Sequence, residues 1–219
     1  MKVFITRSID EQGVFYRTLT ERGYHVSGES LIKFFPIPVG DFPPVDWIFF
    51  YSQTAARFFF KQFSPKKVED IRLASIGGAT SEVITLICRL PDFNGNGDPA
   101  ESAENFLQVA KGQRVLFPQA NNSRQSIQNM LGDQITGINL VVYDNQPRTD
   151  FELPFFDCLV FTSPMNAQAY CSKKSLQDRQ KIIAIGNTTA RALYNLGAAR
   201  VIIADMASEE SLAKAVLKS

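Results

Sequence analysis

The chain has 219 residues, 45% hydrophobic and 21% charged, and 23 Lys+Arg against 22 Asp+Glu leave a net charge of +1. That is a globular composition, long enough for one large domain or two small ones with a sizeable core, and it excludes a disordered chain. Near-neutrality argues against nucleic-acid binding through bulk charge, and no apolar run approaches the ~18 residues of a membrane helix.

The chain opens MKVFITRSID, where Arg7 and Asp10 interrupt the apolar run too early for a secretory leader. Residues 3–6, 47–51, 73–76, 115–117, 159–161, 182–185 and 201–204 are continuous apolar runs of strand length. Runs without polar alternation predict strands covered on both faces, as in a parallel sheet. Residues 33–39 and 141–147 are extended and Pro-punctuated, and read as linkers. Asn94 to Gly97 form a turn cluster, after which Asp98, Pro99 and Glu101 supply a helix N-cap, a first-position Pro and a first-turn acid. Ala103, Phe106, Leu107 and Ala110 then form one helix face, ended by Gly112. Ala190, Leu193 and Tyr194 form another, closed by Gly197, and Ser208 starts a last helix. Strands alternating with helices predict an α/β fold with parallel sheets.

The chain also repeats itself. Asp46-Trp-Ile-Phe-Phe-Tyr-Ser52 matches Asp157-Cys-Leu-Val-Phe-Thr-Ser163, and Ile76-Gly-Gly-Ala-Thr80 matches Ile185-Gly-Asn-Thr-Thr189. A weaker echo links Lys2-Val-Phe-Ile-Thr6 to Arg114-Val-Leu-Phe-Pro118, and all three pairs lie about 110 residues apart in the same order. With the linkers, this predicts two similar flavodoxin-like α/β domains, one inserted in the other, joined by a two-stranded linker around a cleft. The discontinuous domain is expected over 1–35 plus 147–219 and the inserted one over 37–143, with linkers at about 34–39 and 142–147.

These segments, in this order, resemble the uroporphyrinogen-III synthase family over essentially the whole chain. The more specific signals are Phe161-Thr-Ser-Pro164 and Ala184-Ile-Gly-Asn-Thr-Thr-Ala-Arg191, supported by Val115-Leu-Phe-Pro118 with Arg124 and by Val142-Tyr143. There are departures: Tyr51 replaces the usual Thr, Asn121 sits where Gly is common, and Gly78 and Asn187 occupy variable positions. The resemblance implies a lyase that cyclises the linear tetrapyrrole hydroxymethylbilane to uroporphyrinogen III. Water is lost, and ring D is inverted through a spiro intermediate, in haem and sirohaem biosynthesis. It implies no cofactor and no metal, a monomer in the cytoplasm, and a transient hand-over from hydroxymethylbilane synthase. Without the enzyme the substrate closes to the uninverted isomer, so the protein's task is to steer the product.

Such a substrate carries eight carboxylates. Ser52, Thr80, Ser163, Thr188 and Thr189 each follow a predicted strand and open a predicted helix, at the sheet edge where α/β proteins bind ligands and where helix starts attract anions. Ser and Thr are also the preferred caps, so capping alone is the stronger reading for any one of them, and it is their doubling across the repeat that favours two half-sites. Arg7, Arg124 and Arg191 are the basic residues nearest those edges, and an Arg fork pairs with a carboxylate in two bonds. For Arg191 a solvated helix face is an equal reading. The resemblance makes Tyr143 the acid that assists loss of the hydroxyl group, while an aromatic on a linker strand that only packs against a neighbour is at least an equal reading. A phenol of pKa ~10 donates weakly at neutral pH, so it is expected to help without being indispensable.

Other signals point to no chemistry. His25 stands alone and reads as a surface turn, and Lys66–Lys67 and Lys173–Lys174 as exposed turns. Phe58, Phe59 and Phe60 read as core and inter-domain packing, and Cys88, Cys158 and Cys171 as reduced thiols. The alternative from another class is a non-catalytic cytosolic protein that binds a tetrapyrrole or another carboxylate on the same two domains. In either case no nucleic acid and no membrane is an expected partner.

Overall fold

The computed structural model describes residues 1–218. In chain order the elements are β1 (Lys2–Ile5), α1 (Val14–Thr20), β2 (His25–Gly28), β3 (Ile32–Pro36), β4 (Trp47–Phe50), α2 (Gln53–Phe60), β5 (Arg72–Ser75) and α3 (Gly78–Ile87). Then follow β6 (Phe93–Asn94), α4 (Pro99–Ala110), β7 (Arg114–Ala120), α5 (Ser126–Leu131), β8 (Thr136–Pro147) and β9 (Cys158–Phe161). The last are α6 (Pro164–Cys171), β10 (Lys181–Ala184), α7 (Asn187–Asn195), β11 (Ile202–Ile203) and α8 (Glu209–Leu217). One unit comprises Met1–Lys33 with the chain from Gln146 onward; the other is Phe34–Asn145.

The first unit holds a five-stranded sheet in the order β11-β10-β9-β1-β2, parallel throughout. The second holds a sheet in the order β3-β8-β7-β4-β5-β6, in which β8, β7, β4, β5 and β6 run parallel. The segments read as linkers are strands here: β3 and β8 pair at the edge of the second sheet, and the unit boundaries fall inside them.

Successive strand residues point to opposite faces, so a strand covered on both sides must be apolar at every position. Phe4, Leu159, Phe161 and Ile182 pack on one face of the first sheet with Tyr170 of α6 and Leu193 of α7. Their neighbours Val3, Ile5, Cys158, Val160 and Ile183 pack on the other with Phe15 and Leu19 of α1 and Leu212 and Val216 of α8. The second sheet divides likewise. Ile48, Phe50, Leu73 and Leu116 face α2 and α3, whereas Trp47, Phe49, Ala74, Val115 and Phe117 face α4 and α5.

The sequence repeat is not the spatial unit. Matching β4 to β9, β5 to β10 and β7 to β1 gives both sheets one strand order, β2-β1-β9-β10-β11 against β8-β7-β4-β5-β6. Leaving aside the edge strand β3, each unit therefore takes two strands from one copy and three from the other. Helix pairing follows the same exchange, with α1 against α8 and α4 against α5. The repeated Asp holds this arrangement: Asp157 Oδ2 accepts the Lys2 amide at 2.7 Å, and Asp46 Oδ2 accepts the Arg114 amide at 2.8 Å. In each case the carboxylate before one strand clamps the first residue of its neighbour.

Four local expectations change. His25 opens the edge strand β2, exposed, instead of a turn, because its amide pairs with the Met1 carbonyl at 3.0 Å. Tyr194 is 50% exposed, with its hydroxyl 3.5 Å from the Val201 carbonyl, so the buried face of α7 is carried by Ala190 and Leu193. The run at 201–204 pairs only over Ile202–Ile203. Lys174 is tied by its ammonium to the Leu153 carbonyl.

Candidate functional site

In each sheet the chain departs in opposite directions from two adjacent central strands, β1 and β9 in one unit and β7 and β4 in the other. That is the switch point beyond whose carboxyl ends α/β proteins bind ligands. The two edges are built from equivalent positions, of which Ser52 and Ser163, and Thr80 and Thr189, carry the same residue while Tyr51 and Thr162 differ.

In the unit Phe34–Asn145, Ser52 caps α2, its hydroxyl accepting the Ala55 amide at 3.0 Å. Tyr143, on β8, is 8% exposed, with its ring stacked on Phe58 at 5.1 Å and 16° and Phe34 at 5.9 Å on another side. Burial raises the Tyr143 phenol above its ordinary value; its interaction with the Ser52 hydroxyl draws it partly back, and the nearby Tyr51 adds to the rise. The fold thus brings Ser52 and Tyr143 together, on α2 and β8.

Beside them, the Tyr51 hydroxyl donates to Gln119 Oε1 at 2.7 Å. Its one proton is used there, so the 2.5 Å contact with Ser123 Oγ has the serine as donor. Gln128 Nε2 also donates to Gln119 Oε1, at 3.1 Å. Burial raises the Tyr51 phenol, and the hydrogen bonds oppose the rise. Arg124 lies on the loop between β7 and α5, with an exposed side chain that makes no ion pair among the described residues. Thr80, the third residue of α3, is 5% exposed; no side chain caps that helix, and of the two glycines at its start Gly77 is buried against Gly97 while Gly78 is exposed.

In the other unit, Ser163 caps α6 by accepting the Asn166 amide at 3.2 Å. Thr162, the position matching Tyr51, is turned onto the neighbouring strand end: its amide donates to Thr6 Oγ1 and its hydroxyl to the Thr6 carbonyl, both at 2.9 Å. Arg7 is ion-paired to Glu209 at 2.5 Å, so its charge is already matched. Thr189 is 3% exposed, like Thr80 at the same place in the repeat, while Thr188 and Arg191 are exposed on α7. Arg191, fifth in the helix, makes no ion pair among the described residues.

Sequence reasoning missed Gln119, Ser123, Gln128 and the partner of Arg7. Polar residues at a strand end carry no signal of what they meet across the sheet. Tyr51 did carry one, as the aromatic member of the pair it forms with Thr162 in the repeat. Among the described residues no group of three or more His, Cys, Asp or Glu is placed to hold a metal ion, and no helix is long and apolar enough to cross a membrane.

Residues 13–214 match the family described as Uroporphyrinogen-III synthase HemD, and the chain belongs to that family. It is similar to the uroporphyrinogen-III synthase of Chlorobaculum parvum, 28% identical over 249 aligned positions that cover 99% of this chain and 98% of that protein. The crystal structure of uroporphyrinogen-III synthetase from Helicobacter pylori superposes with a TM-score of 0.77 at 20% identity, covering 99% of this chain and 98% of that one. A mutant uroporphyrinogen III synthase from Thermus thermophilus gives 0.58 at 15% identity over the whole of both chains. At these identities the structures establish the fold, an α/β architecture with parallel sheets.

Proposed function

We propose, from its membership in the uroporphyrinogen-III synthase family, that this protein is a cyclising lyase that converts hydroxymethylbilane to uroporphyrinogen III with loss of water and inversion of ring D. The observation that carries the reading is a family match running from residue 13 to residue 214, which takes in strands of both sheets.

The chemistry asks for two things. Carboxylates must be held in one folding of the substrate, and the departing hydroxyl must be given a hydrogen-bond donor. For the first, we assign Arg124, Ser52 and Thr80 of one unit and Arg7, Ser163, Thr188, Thr189 and Arg191 of the other as substrate-binding. Arginines supply forked ion pairs, Arg7 by exchanging Glu209 for a substrate carboxylate, and the helix starts supply hydroxyls and backbone amides. For the second, the fit is Tyr143. Its raised pKa keeps the phenol protonated throughout the neutral range, and the Phe58 stack holds the ring. A phenol is a weak proton donor, which suits a reaction that proceeds unaided to the wrong isomer. Binding as a monomer in the cytoplasm, with the unstable substrate handed over by the synthase that makes it, completes the reading.

The test supplies freshly generated hydroxymethylbilane, oxidises the products to porphyrins and separates the isomers by chromatography. Isomer III in excess over isomer I is the expected result. Isomer I alone, at the rate of a protein-free control, would overturn the reading.

A further inference from the structure

We infer that Tyr51 is a positioning residue that fixes the loop carrying Arg124, and that it sets affinity for the anionic substrate through that arginine. The inference rests on the proposed reaction for its substrate, but on separate geometry for its mechanism.

The loop between β7 and α5 contains Gln125, the one non-glycine residue with positive φ (53°) among the described residues. A side chain held in the left-handed region is strained and persists only where its surroundings determine it. Two fastenings do so. At the loop's start the Asn121 amide donates to the Tyr143 carbonyl at 2.9 Å. At its middle, Ser123 Oγ accepts the Gln125 amide at 3.2 Å while donating to the Tyr51 hydroxyl at 2.5 Å. Tyr51 is in turn anchored on Gln119, which is 2% exposed and also receives Gln128 of α5. Arg124 lies between the two residues this chain of bonds immobilises.

The repeat supplies the control. Thr162, in the matching position, reaches no further than Thr6 at the adjacent strand end, bonding its carbonyl and its hydroxyl. A phenol is longer than a threonine hydroxyl by most of a ring, and at position 51 that length carries the hydrogen bond past the strand into the loop. A purely structural tie between strands needs no more than Thr.

The test is a double-mutant cycle with Tyr51→Phe and Arg124→Gln, read as KM and kcat for hydroxymethylbilane, with hydrogen exchange of the Ser123 and Gln125 amides. Losing a hydrogen bond of ordinary net strength predicts a KM increase of roughly 3- to 10-fold for Tyr51→Phe, with kcat within about 2-fold. Ser123→Ala, which leaves the Tyr51–Gln119 bond in place, is expected to reproduce it. In the Arg124→Gln background, Tyr51→Phe is expected to add nothing to KM, and both amides exchange faster in Tyr51→Phe. An unchanged KM, or an increase of the same factor with Arg124 absent, overturns the inference. Wild-type protein yielding only isomer I defeats the functional reading instead. The anchoring is then judged by exchange alone, and unchanged protection of Ser123 and Gln125 in Tyr51→Phe overturns it.

Discussion

Arg7 at the end of β1 and Glu209 at the start of α8 are 202 residues apart in the chain and meet at 2.5 Å. The other oxygen of Glu209 accepts the Phe15 amide at 3.1 Å, doing for α1 what its own N-cap, Gly13, has no side chain to do. A Cβ at Gly13 would stand 2.7 Å from Glu209 Oε2, so a larger residue there would push the carboxylate aside. One carboxylate thus joins strand, first helix and last helix.

Glu209→Gln keeps the shape and removes the charge. With each partner about one-third exposed, the ion pair is worth little in water, and most of the loss is the weakened cap. We expect destabilisation of about 1 kcal/mol, read as a lower denaturant midpoint at unchanged slope. An unchanged midpoint would show that the link carries no stability.

Tyr143→Phe removes the phenol and leaves the ring to stack on Phe58. If the hydroxyl assists departure of water without being indispensable, kcat falls by less than about 100-fold, the low end of general-acid effects, and isomer III remains the main product. Because burial raises the phenol's pKa, the wild-type rate has no alkaline loss from this group below the ordinary tyrosine range. Abolished turnover in Tyr143→Phe, or an alkaline limb near pH 8 that the variant lacks, would contradict this weighting.

Asp150 is held by Lys33 and Arg148, which pull its carboxyl from 3.8 down to about 2. A carboxylate with a lowered folded-state pKa stabilises the fold above its ordinary value and loses that contribution as pH falls toward the folded one. Stability measured by denaturation should therefore fall less steeply between about pH 4 and pH 2 in Asp150→Asn than in wild type. The difference should be small, since the group is exposed and screened. Parallel profiles would remove Asp150 from the acid response.

Cys158 lies buried in β9, where desolvation pushes its thiol up to about 12, and Cys171 rises to about 11 for the same reason. At pH 8 neither holds an appreciable thiolate, the reactive form. Mass spectrometry after iodoacetamide treatment should find Cys158 unlabelled in native protein and labelled after denaturation. Native labelling at the rate of a free thiol would mean that β9 opens readily.

Much of this was legible in the order of residues alone. Unbroken apolar runs at residues 3–6 and 47–51 declare strands covered on both faces, and Asp98, Ser52 and Ser163 cap helices as their positions require. These are local matters, set by side-chain period and by which backbone groups lack partners. The repeat of Asp46 to Ser52 at Asp157 to Ser163 also reports a repeated clamp and a repeated cap. Tertiary structure alone decided what spans the repeat: that each sheet mixes strands of both copies, that Glu209 neutralises Arg7, and that Tyr51 reaches Ser123. The physical reason is that the central parallel pairs, β1 with β9 and β4 with β7, join strands far apart in the chain, which no tight turn brings together. A side chain at a strand end therefore finds partners that no local pattern encodes.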